Sequence, residues 1–354
     1  MTGHGGDIYD FMKERDIEQK SVVDFSASIN PLGTPENVLL SIKKHLKDII
    51  NYPDTGAAKL TDKIAETLNI NPKSIICGNG STELIYLVPR AMRFQKILIP
   101  QPTFSDYERA CRIACPECIV TDHMLEHKNS FDLEPGKFID QTLSIKPDGV
   151  FICNPNNPTG RLIEKKTIIR IAEVMRKQKI YTIIDESFID FCSGGSVTNE
   201  VENNPYLVVL KSMTKFYALA GLRLGYGIFP LHIAKVLREC REPWSVNTLA
   251  QAAGIAALDE NAYREKTMKV LHKQKIILEK GLKGLGIDYI PSQANYYLLH
   301  TPRAKKLAKR LTQRGIMVRD CSNFKGLDHR YLRIAVKSQK QNILFLKHME
   351  ECIE

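Results

Sequence analysis

The feature that most constrains the fold of this chain is an alternation of short apolar runs with longer amphipathic stretches between about residues 35 and 229. Apolar runs bounded by turn-forming residues predict buried strands, and apolar residues that recur every three or four positions predict helices. The strands predicted in this way are 74–77, 96–100, 118–122, 149–154, 181–185, 207–210 and 225–229. The predicted helices are 35–50, 56–68, 81–93, 104–114 and 164–178. Because parallel strands need crossover connections, the pattern predicts an α/β fold with a doubly wound, mostly parallel sheet.

A second, smaller unit is predicted after this sheet. Two long helices are predicted at 245–258 and 260–284. They are followed by predicted strands at 288–300, 316–321 and 331–336 and by predicted helices at 303–314 and 339–352. We therefore expect a large domain at 35–259, an interdomain helix at 260–284 and a small α+β domain at 285–354.

Charge and composition narrow the possible partners. The chain has 354 residues, of which 43% are hydrophobic, so it can bury a substantial core. The 50 basic and 40 acidic residues give a net charge of +10, but the two signs are interleaved on amphipathic segments such as 303–314. We expect no nucleic-acid partner. No apolar run approaches the roughly 18 residues of a membrane helix, so we expect no membrane partner either.

The nine cysteines favour a reducing, cytoplasmic location, because they are scattered without the spacing of a disulfide framework. Cys111, Cys115 and Cys118 have the spacing of an iron–sulfur motif, and His123 and His127 could be ligands of zinc. However, the first two cysteines share a helix face, a proline interrupts the motif, and no glycine-rich partner motif follows. Free thiols and a solvated loop are the better interpretation, so no metal site is predicted.

The strongest chemical signal lies in the run 210–226. Lys215 is close in sequence to Ser212 and Thr214, and Arg223 follows it by eight residues. A lysine amine can hold pyridoxal 5'-phosphate (PLP) covalently, and hydroxyls with a guanidinium can hold the phosphate of that cofactor. The run therefore predicts a PLP site with Lys215 as the point of attachment.

Two other strand ends would bring polar side chains to the same edge of the sheet. Asp185 ends the strand 181–185, and Asn157 lies in an asparagine- and proline-rich loop after the strand 149–154. Ligands of open α/β sheets bind at such strand ends. Asp185 could pair with the protonated pyridine nitrogen, which keeps the ring an electron sink, and Asn157 could bond the phenolic oxygen. A helix cap for the aspartate and a plain turn for the asparagine are the alternatives.

The segment 77–84 opens a predicted helix directly after a strand. Its glycines let the backbone approach a phosphate, and helix N-termini attract anions. An ordinary serine cap is the alternative. Together with the residues around the lysine, the segment would form a phosphate cup from Gly80, Ser81, Thr82, Ser212, Thr214 and Arg223.

Three motifs together carry a family resemblance: Asn-Pro-Asn-Asn-Pro-Thr-Gly at 154–160, Asp-Glu at 185–186, and Ser-Met-Thr-Lys at 212–215 with its later arginine. They resemble the fold-type-I PLP enzymes of the aspartate aminotransferase superfamily over nearly the whole chain. The resemblance implies PLP as cofactor, Phe104 stacked on its ring, and an N-terminal arm, 1–34, packed on the small domain. Tyr52 matches a tyrosine that relatives contribute to the phosphate of the neighbouring subunit, which implies a homodimer with shared active sites.

The sequence departs from this family at Phe188. Many relatives place a tyrosine there, and its hydroxyl donates to the phenolic oxygen of the cofactor. Phenylalanine cannot donate, so one contact that sets the pKa of the link between lysine and cofactor would be missing. The behaviour of an aminotransferase is therefore not carried over directly.

The reaction would depend on how the substrate is held. Arg333 matches the arginine that holds the substrate carboxylate in aminotransferases, and Arg319 lies on a neighbouring predicted strand. Bidentate guanidinium groups suit carboxylate and phosphate alike, although surface ion pairs are the alternative. Two converging arginines imply an acidic or phosphorylated substrate.

The segments 3–7, 24–33, 318–328 and 331–335 resemble one branch of the superfamily in particular. This is the branch that decarboxylates L-threonine O-3-phosphate in cobalamin biosynthesis. The resemblance implies that a small phosphorylated amino acid is bound by His4, Asn30, Arg319 and Arg333, and loses CO2 to give (R)-1-aminopropan-2-ol O-phosphate. Transamination of histidinol phosphate or a related amino acid is the alternative.

Overall fold

The computed structural model describes residues 5–13 and 22–353. Its strands are β1 (Val23–Asp24), β2 (Ile75–Asn79), β3 (Lys96–Gln101), β4 (Ile119–Met124), β5 (Gly149–Cys153), β6 (Tyr181–Asp185), β7 (Leu207–Ser212), β8 (Leu224–Ile228), β9 (Asp288–Tyr289), β10 (Tyr296–His300), β11 (Ile316–Met317), β12 (Arg319–Asp320) and β13 (Tyr331–Ala335). Its helices are α1 (Ile8–Lys13), α2 (Glu36–Lys44), α3 (Ala58–Leu68), α4 (Gly80–Met92), α5 (Asp106–Ala114), α6 (Pro135–Ile145), α7 (Lys165–Lys177), α8 (Met213–Phe216), α9 (Leu231–Cys240), α10 (Thr248–Leu258), α11 (Asn261–Gly284), α12 (Ala304–Gln313) and α13 (Gln339–Ile353). Short 3-10 turns lie at Leu46–Ile50, Pro72–Ser74, His127–Asn129, Ile189–Phe191, Thr198–Asn203 and Ala220–Leu222.

Seven strands form the main sheet in the order β2-β8-β7-β6-β5-β3-β4. The five strands from β7 to β4 are parallel, whereas β8 is antiparallel to both of its neighbours. Successive residues of a strand enter opposite apolar clusters: Ile183 packs in one and Ile184 in the other. Helices therefore cover both faces of the sheet, and the predicted α/β fold with its mostly parallel sheet is confirmed.

The second sheet is antiparallel, in the order β12-β13-β10-β9. The run 288–300, predicted as one strand, is a hairpin in which His300 pairs with Asp288. Pro291 and Ser292 lie in its turn and are the signal that the apolar pattern concealed. The predicted strand 316–321 is also two strands, because β11 pairs with β1 whereas β12 pairs with β13.

The N-terminal segment is tied to this second unit. β1 runs parallel to β11, and the backbone of Phe25 accepts a hydrogen bond from Ala335 and donates one to Met317. Two helices, α6 and α9, were not predicted, and the predicted helix 35–50 ends at Lys44 and continues as a 3-10 turn. The boundaries given above for the domains stay a prediction. Across the described ranges 5–13 and 22–353, no helix combines the length and apolarity needed to cross a membrane.

Candidate active site

Lys215 lies on the short helix α8, directly after β7. Its Nζ donates to the hydroxyl of Ser212 at 3.2 Å and lies 5.6 Å from the centre of the Phe188 ring. Burial lowers the pKa of Lys215 from 10.5 to about 8; the charge of Arg223 lowers it further, and that of Asp185 opposes both. A lysine amine with such a pKa is partly neutral near pH 7, which is the form that acts as a nucleophile.

Asp185 is 4% exposed and ends β6 beside the cleft. Its Oδ2 accepts a hydrogen bond from the hydroxyl of Tyr107 at 2.7 Å, and its Oδ1 accepts one from the backbone N–H of Ser187 at 2.9 Å. Burial, together with the nearby charge of Asp185, raises the pKa of Tyr107 well above its usual value, so the tyrosine keeps its proton and donates. The sequence gave no motif for Tyr107, because a buried tyrosine on an amphipathic helix has the pattern of a core residue.

The predicted phosphate cup assembles at the N-terminus of α4. Ser81, Thr82, Thr214 and Arg223 line the same cleft. Gly80 has a φ of +76°, and a Cβ at this position would lie 2.6 Å from an Arg223 guanidinium nitrogen, so glycine is required. The N–H of Gly80 donates to the carbonyl of Arg223 at 2.9 Å, which leaves the N–H groups of Ser81 and Thr82 as the backbone donors of the cup.

Arg333, on β13, is 7% exposed. Its Nη1 donates to Oδ1 of Asn157, and its Nη2 donates to the carbonyl of Ser26 at 2.8 Å. Its Nε is buried without a hydrogen-bond partner. Both acceptors are neutral oxygens, so the charge and one N–H group of Arg333 are available to an anion. The bond also uses the amide oxygen of Asn157 and leaves its NH2 group as a donor.

Arg319 lies directly opposite Arg333 in the ladder between β12 and β13. Its guanidinium donates to the carbonyl of Asp320 at 2.6 Å and to Oδ1 of Asn323 at 2.8 Å, and lies 5.1 Å from the centre of the Phe324 ring. Burial lowers the pKa of Arg319. Like charges directly opposite each other in a sheet are destabilising, and an anion bound between them would remove that cost.

The cleft has a volume of about 460 Å³. The predicted residues that line it are Ser81, Thr82, Phe104, Asn157, Asp185, Thr214, Lys215, Arg223, Arg319 and Arg333. Ser212 lies behind them, with its hydroxyl 2.7 Å from that of Thr214. Tyr52 is elsewhere: it is 81% exposed and stacks on Trp244 at 4.7 Å. His4 lies outside the described residues.

The structure places Asn30 behind Lys215 rather than on the wall of the cleft. Its Nδ2 donates to the carbonyl of Phe216 and to the hydroxyl of Thr267, both at 2.8 Å, and its backbone N–H donates to the carbonyl of Lys215 at 3.0 Å. Ser28, two residues earlier, lines the cleft with a buried hydroxyl that has no hydrogen-bond partner. Within the segment that carried the resemblance, Ser28 therefore offers a substrate contact, and Asn30 supports the backbone of the lysine.

Comparison with known proteins gives the same picture of the site's relatives. A model of the family described as aminotransferase class I and II matches residues 20–348. The threonine-phosphate decarboxylase of Salmonella typhimurium is 35% identical over 345 residues, which are 96% of this chain and 94% of that protein. The structure of the histidinol-phosphate aminotransferase from Clostridium acetobutylicum has a TM-score of 0.86, 32% identity, and coverage of 93% of this chain and 98% of that one. The structure of L-threonine-O-3-phosphate decarboxylase from Porphyromonas gingivalis has a TM-score of 0.81, 27% identity, and coverage of 92% and 98%.

Proposed function

The chain belongs to the class I and II aminotransferase family, whose enzymes depend on PLP, and we propose that it decarboxylates L-threonine O-3-phosphate to (R)-1-aminopropan-2-ol O-phosphate in cobalamin biosynthesis. The observation that carries this proposal is the direct pairing of Arg319 with Arg333 in the cleft that holds Lys215. Two cationic groups at one end of a small cleft suit a dianionic phosphate better than a single carboxylate. The 35% identity to the Salmonella decarboxylase supports the same choice.

The residues of the cleft fit PLP. Lys215 has the lowered pKa that an attaching amine needs, and the carboxylate of Asp185 is held by two donors, as a partner of a protonated ring nitrogen must be. The N-terminus of α4 and Arg223 would hold the phosphate group, with Gly80 leaving room for the guanidinium. When bound, the cofactor supplies an electron sink for negative charge that develops at Cα of the substrate.

The arginines would select the bond that breaks. With the substrate phosphate held by Arg319 and Arg333, neither guanidinium holds the carboxylate, which is then free to leave as CO2. The bond between Cα and the carboxylate carbon breaks, and its electron pair stays at Cα until a proton arrives. Lys215 is the amine on the wall of the cleft that would donate this proton.

Transamination of histidinol phosphate or a related amino acid is the second candidate. The likeness to the Clostridium aminotransferase structure, at 32% identity, favours it. In that case the arginines would still bind an anionic group, but the proton at Cα would be lost and the amino group would stay on the enzyme. The two reactions therefore differ in what is released.

The test is to incubate the PLP-loaded protein with L-threonine O-3-phosphate and, separately, with histidinol phosphate. We expect CO2 in amounts far above the enzyme concentration with the first substrate, and an absorption spectrum that returns to its starting form. Stoichiometric conversion of the bound cofactor to pyridoxamine phosphate without CO2 would show an aminotransferase instead. L-Threonine without phosphate is the control for the contribution of the phosphate group.

A homodimer with shared sites is also proposed. The segment 39–50 exposes five large apolar side chains to solvent, and Tyr52 stacks on the half-exposed Trp244 nearby in the fold. Exposed apolar patches of this kind mark interaction surfaces. A second copy packed there would bring its own Tyr52 within the assembly, where the family resemblance places it near the phosphate. The five side chains are Leu39, Leu40, Leu46, Ile49 and Ile50.

The dimer is tested by light scattering of the wild type and of Ile50→Glu. We expect twice the chain mass for the wild type and a shift toward the monomer for the variant, because a carboxylate in an apolar interface loses its hydration. Ile343→Glu, at another exposed isoleucine, is the matched control and should leave the mass unchanged. A monomeric, fully active wild type would contradict the proposal.

The pKa of Lys215 gives a prediction for pH. With a pKa of about 8, about a tenth of the amines are neutral at pH 7, against a fraction about 300 times smaller for a lysine at 10.5. The rate at which PLP attaches to the cofactor-free protein should therefore rise with pH up to about 8 and then level off. Stopped-flow absorbance measures this rate. A rate that keeps rising to the pKa of a free lysine would show that burial does not act as described.

A further inference from the structure

The loop 321–330, between β12 and β13, forms one wall of the cleft. Phe324 lines the cleft, and both Phe324 and Asn323 contact the guanidinium of Arg319. The position of this loop therefore influences where Arg319 points. The proposal developed below uses the function proposed above only to choose the ligand for its test.

Lys325, the next residue of the loop, reaches across to the unit built on the seven-stranded sheet. Its Nζ lies 2.5 Å from a carboxylate oxygen of Glu108 on α5 and 3.0 Å from one of Asp122 on β4. The side chains of the two acids are 20% and 27% exposed, and that of the lysine is 44% exposed. One ammonium group thus neutralises two neighbouring carboxylates, which would otherwise repel each other.

The same loop also fits closely against β4. Gly326 has a φ of +82°, and a Cβ there would lie 2.7 Å from the terminal carbon of Met124. Phe324 belongs to an apolar cluster that joins residues from both units, including Leu125 and Phe131 on one side and Tyr331 on the other. Apolar packing has no preferred direction, whereas the ion pairs at Lys325 fix one geometry.

Helix α5 connects these ion pairs to the cofactor side of the cleft. Glu108, the partner of Lys325, directly follows Tyr107, whose hydroxyl donates to Asp185 at 2.7 Å. A rigid path therefore runs from the wall that carries Arg319, through Lys325 and α5, to the carboxylate predicted to meet the ring nitrogen. Small displacements in such a path change how well a ligand fits two ends of a site at once.

We propose that Lys325 is a positioning residue whose ion pairs with Glu108 and Asp122 hold the 321–330 loop, and with it Arg319, at the correct distance from Asp185. It does not touch the reacting atoms. It acts on the affinity of the phosphate end of the cleft for its ligand. Exposed ion pairs contribute little to global stability, so its removal should leave the melting temperature nearly unchanged.

The test is the dissociation constant of L-threonine O-3-phosphate, measured by spectral titration of the PLP-loaded protein, with inorganic phosphate as competitor. Lys325→Met should raise this constant about 5- to 10-fold and leave kcat at saturation within about twofold. Lys325→Arg should restore most of the affinity. Lys128→Met, which removes an exposed lysine paired with Glu126, is the matched control and should bind as the wild type does.

A double-mutant cycle with Glu108→Gln separates positioning from a general loss of charge. If the ion pair carries the effect, Lys325→Met should cost little more affinity in the Glu108→Gln background. Wild-type affinity in Lys325→Met, a loss confined to kcat, or additive effects in the cycle would each overturn the proposal. A wild type that binds the ligand but releases no CO2 would refute the decarboxylase function alone, because the binding constants would still test Lys325.

Discussion

Replacing Lys215 by alanine is expected to abolish covalent attachment of PLP and to lower turnover by about a thousandfold or more. The amine lies in the cleft with a pKa lowered to about 8, and the other groups on that wall are aromatic rings, hydroxyls and guanidinium groups that cannot replace it as a nucleophile. Attachment is measured as the mass added after borohydride reduction, and turnover as CO2 released from L-threonine O-3-phosphate. Full activity in the variant would refute the assignment of a PLP enzyme.

Two controls separate loss of the amine from loss of the fold. Lys235→Ala, at an exposed position of α9, should retain both attachment and turnover. Lys215→Arg keeps a positive charge but offers no amine with a pKa near neutrality, so it should fail in attachment as the alanine variant does. Because burial disfavours the charged form of Lys215, removal of the amine should not destabilise the protein at pH 7, and circular dichroism should show a folded chain.

The residues that sequence patterns placed correctly share one property: each directly follows a strand of the parallel sheet. In the register of β5 with β6, Cys153 lies beside Asp185, which in turn lies beside Leu210 of β7. The loops that follow these strands carry Asn157 and Lys215. Since parallel strands end at one edge, the order of motifs along the chain was enough to predict that these side chains meet.

The residues that the sequence placed poorly lie where periodicity gives no direction. In the irregular segment 24–33, a displacement of two residues separates Ser28 on the cleft wall from Asn30 behind the lysine. The carboxamide was chosen for its chemistry, but its bonds to Phe216 and Thr267 could be known only from the tertiary structure. Tyr107 was missed for a related reason, because its bond to Asp185 joins positions 78 residues apart.

The arginine pair was predicted as two residues on neighbouring strands, but its geometry comes from a break in the backbone. The run 316–321 had the pattern of one strand, whereas the structure divides it between β11 and β12. This division frees β12 to pair with β13 and sets Arg319 directly opposite Arg333. The close approach of two like charges is unfavourable without a ligand, so the sheet is built at some cost in stability for the sake of binding.

Arg319→Ala is therefore expected to reduce kcat/KM for L-threonine O-3-phosphate by about 30- to 1,000-fold, which corresponds to roughly 2 to 4 kcal/mol for a partly buried, charge-assisted contact. The loss for L-threonine without phosphate should be much smaller, because that substrate places no dianion between the two guanidinium groups. Arg330→Ala, an exposed arginine paired with Asp328 in the same loop, is the matched control and should change neither value.

The ratio between the two substrates decides the assignment of the phosphate. Arg333 also holds Asn157 and the carbonyl of Ser26, so Arg333→Ala should impair both substrates and cannot make the distinction alone. Arg319 donates only to groups of its own loop among the hydrogen bonds described above, so its removal leaves the cofactor side of the cleft intact. Equal losses for phosphorylated and unphosphorylated threonine in Arg319→Ala would mean that Arg319 does not bind the phosphate, and the argument for decarboxylation from the arginine pair would fail with it.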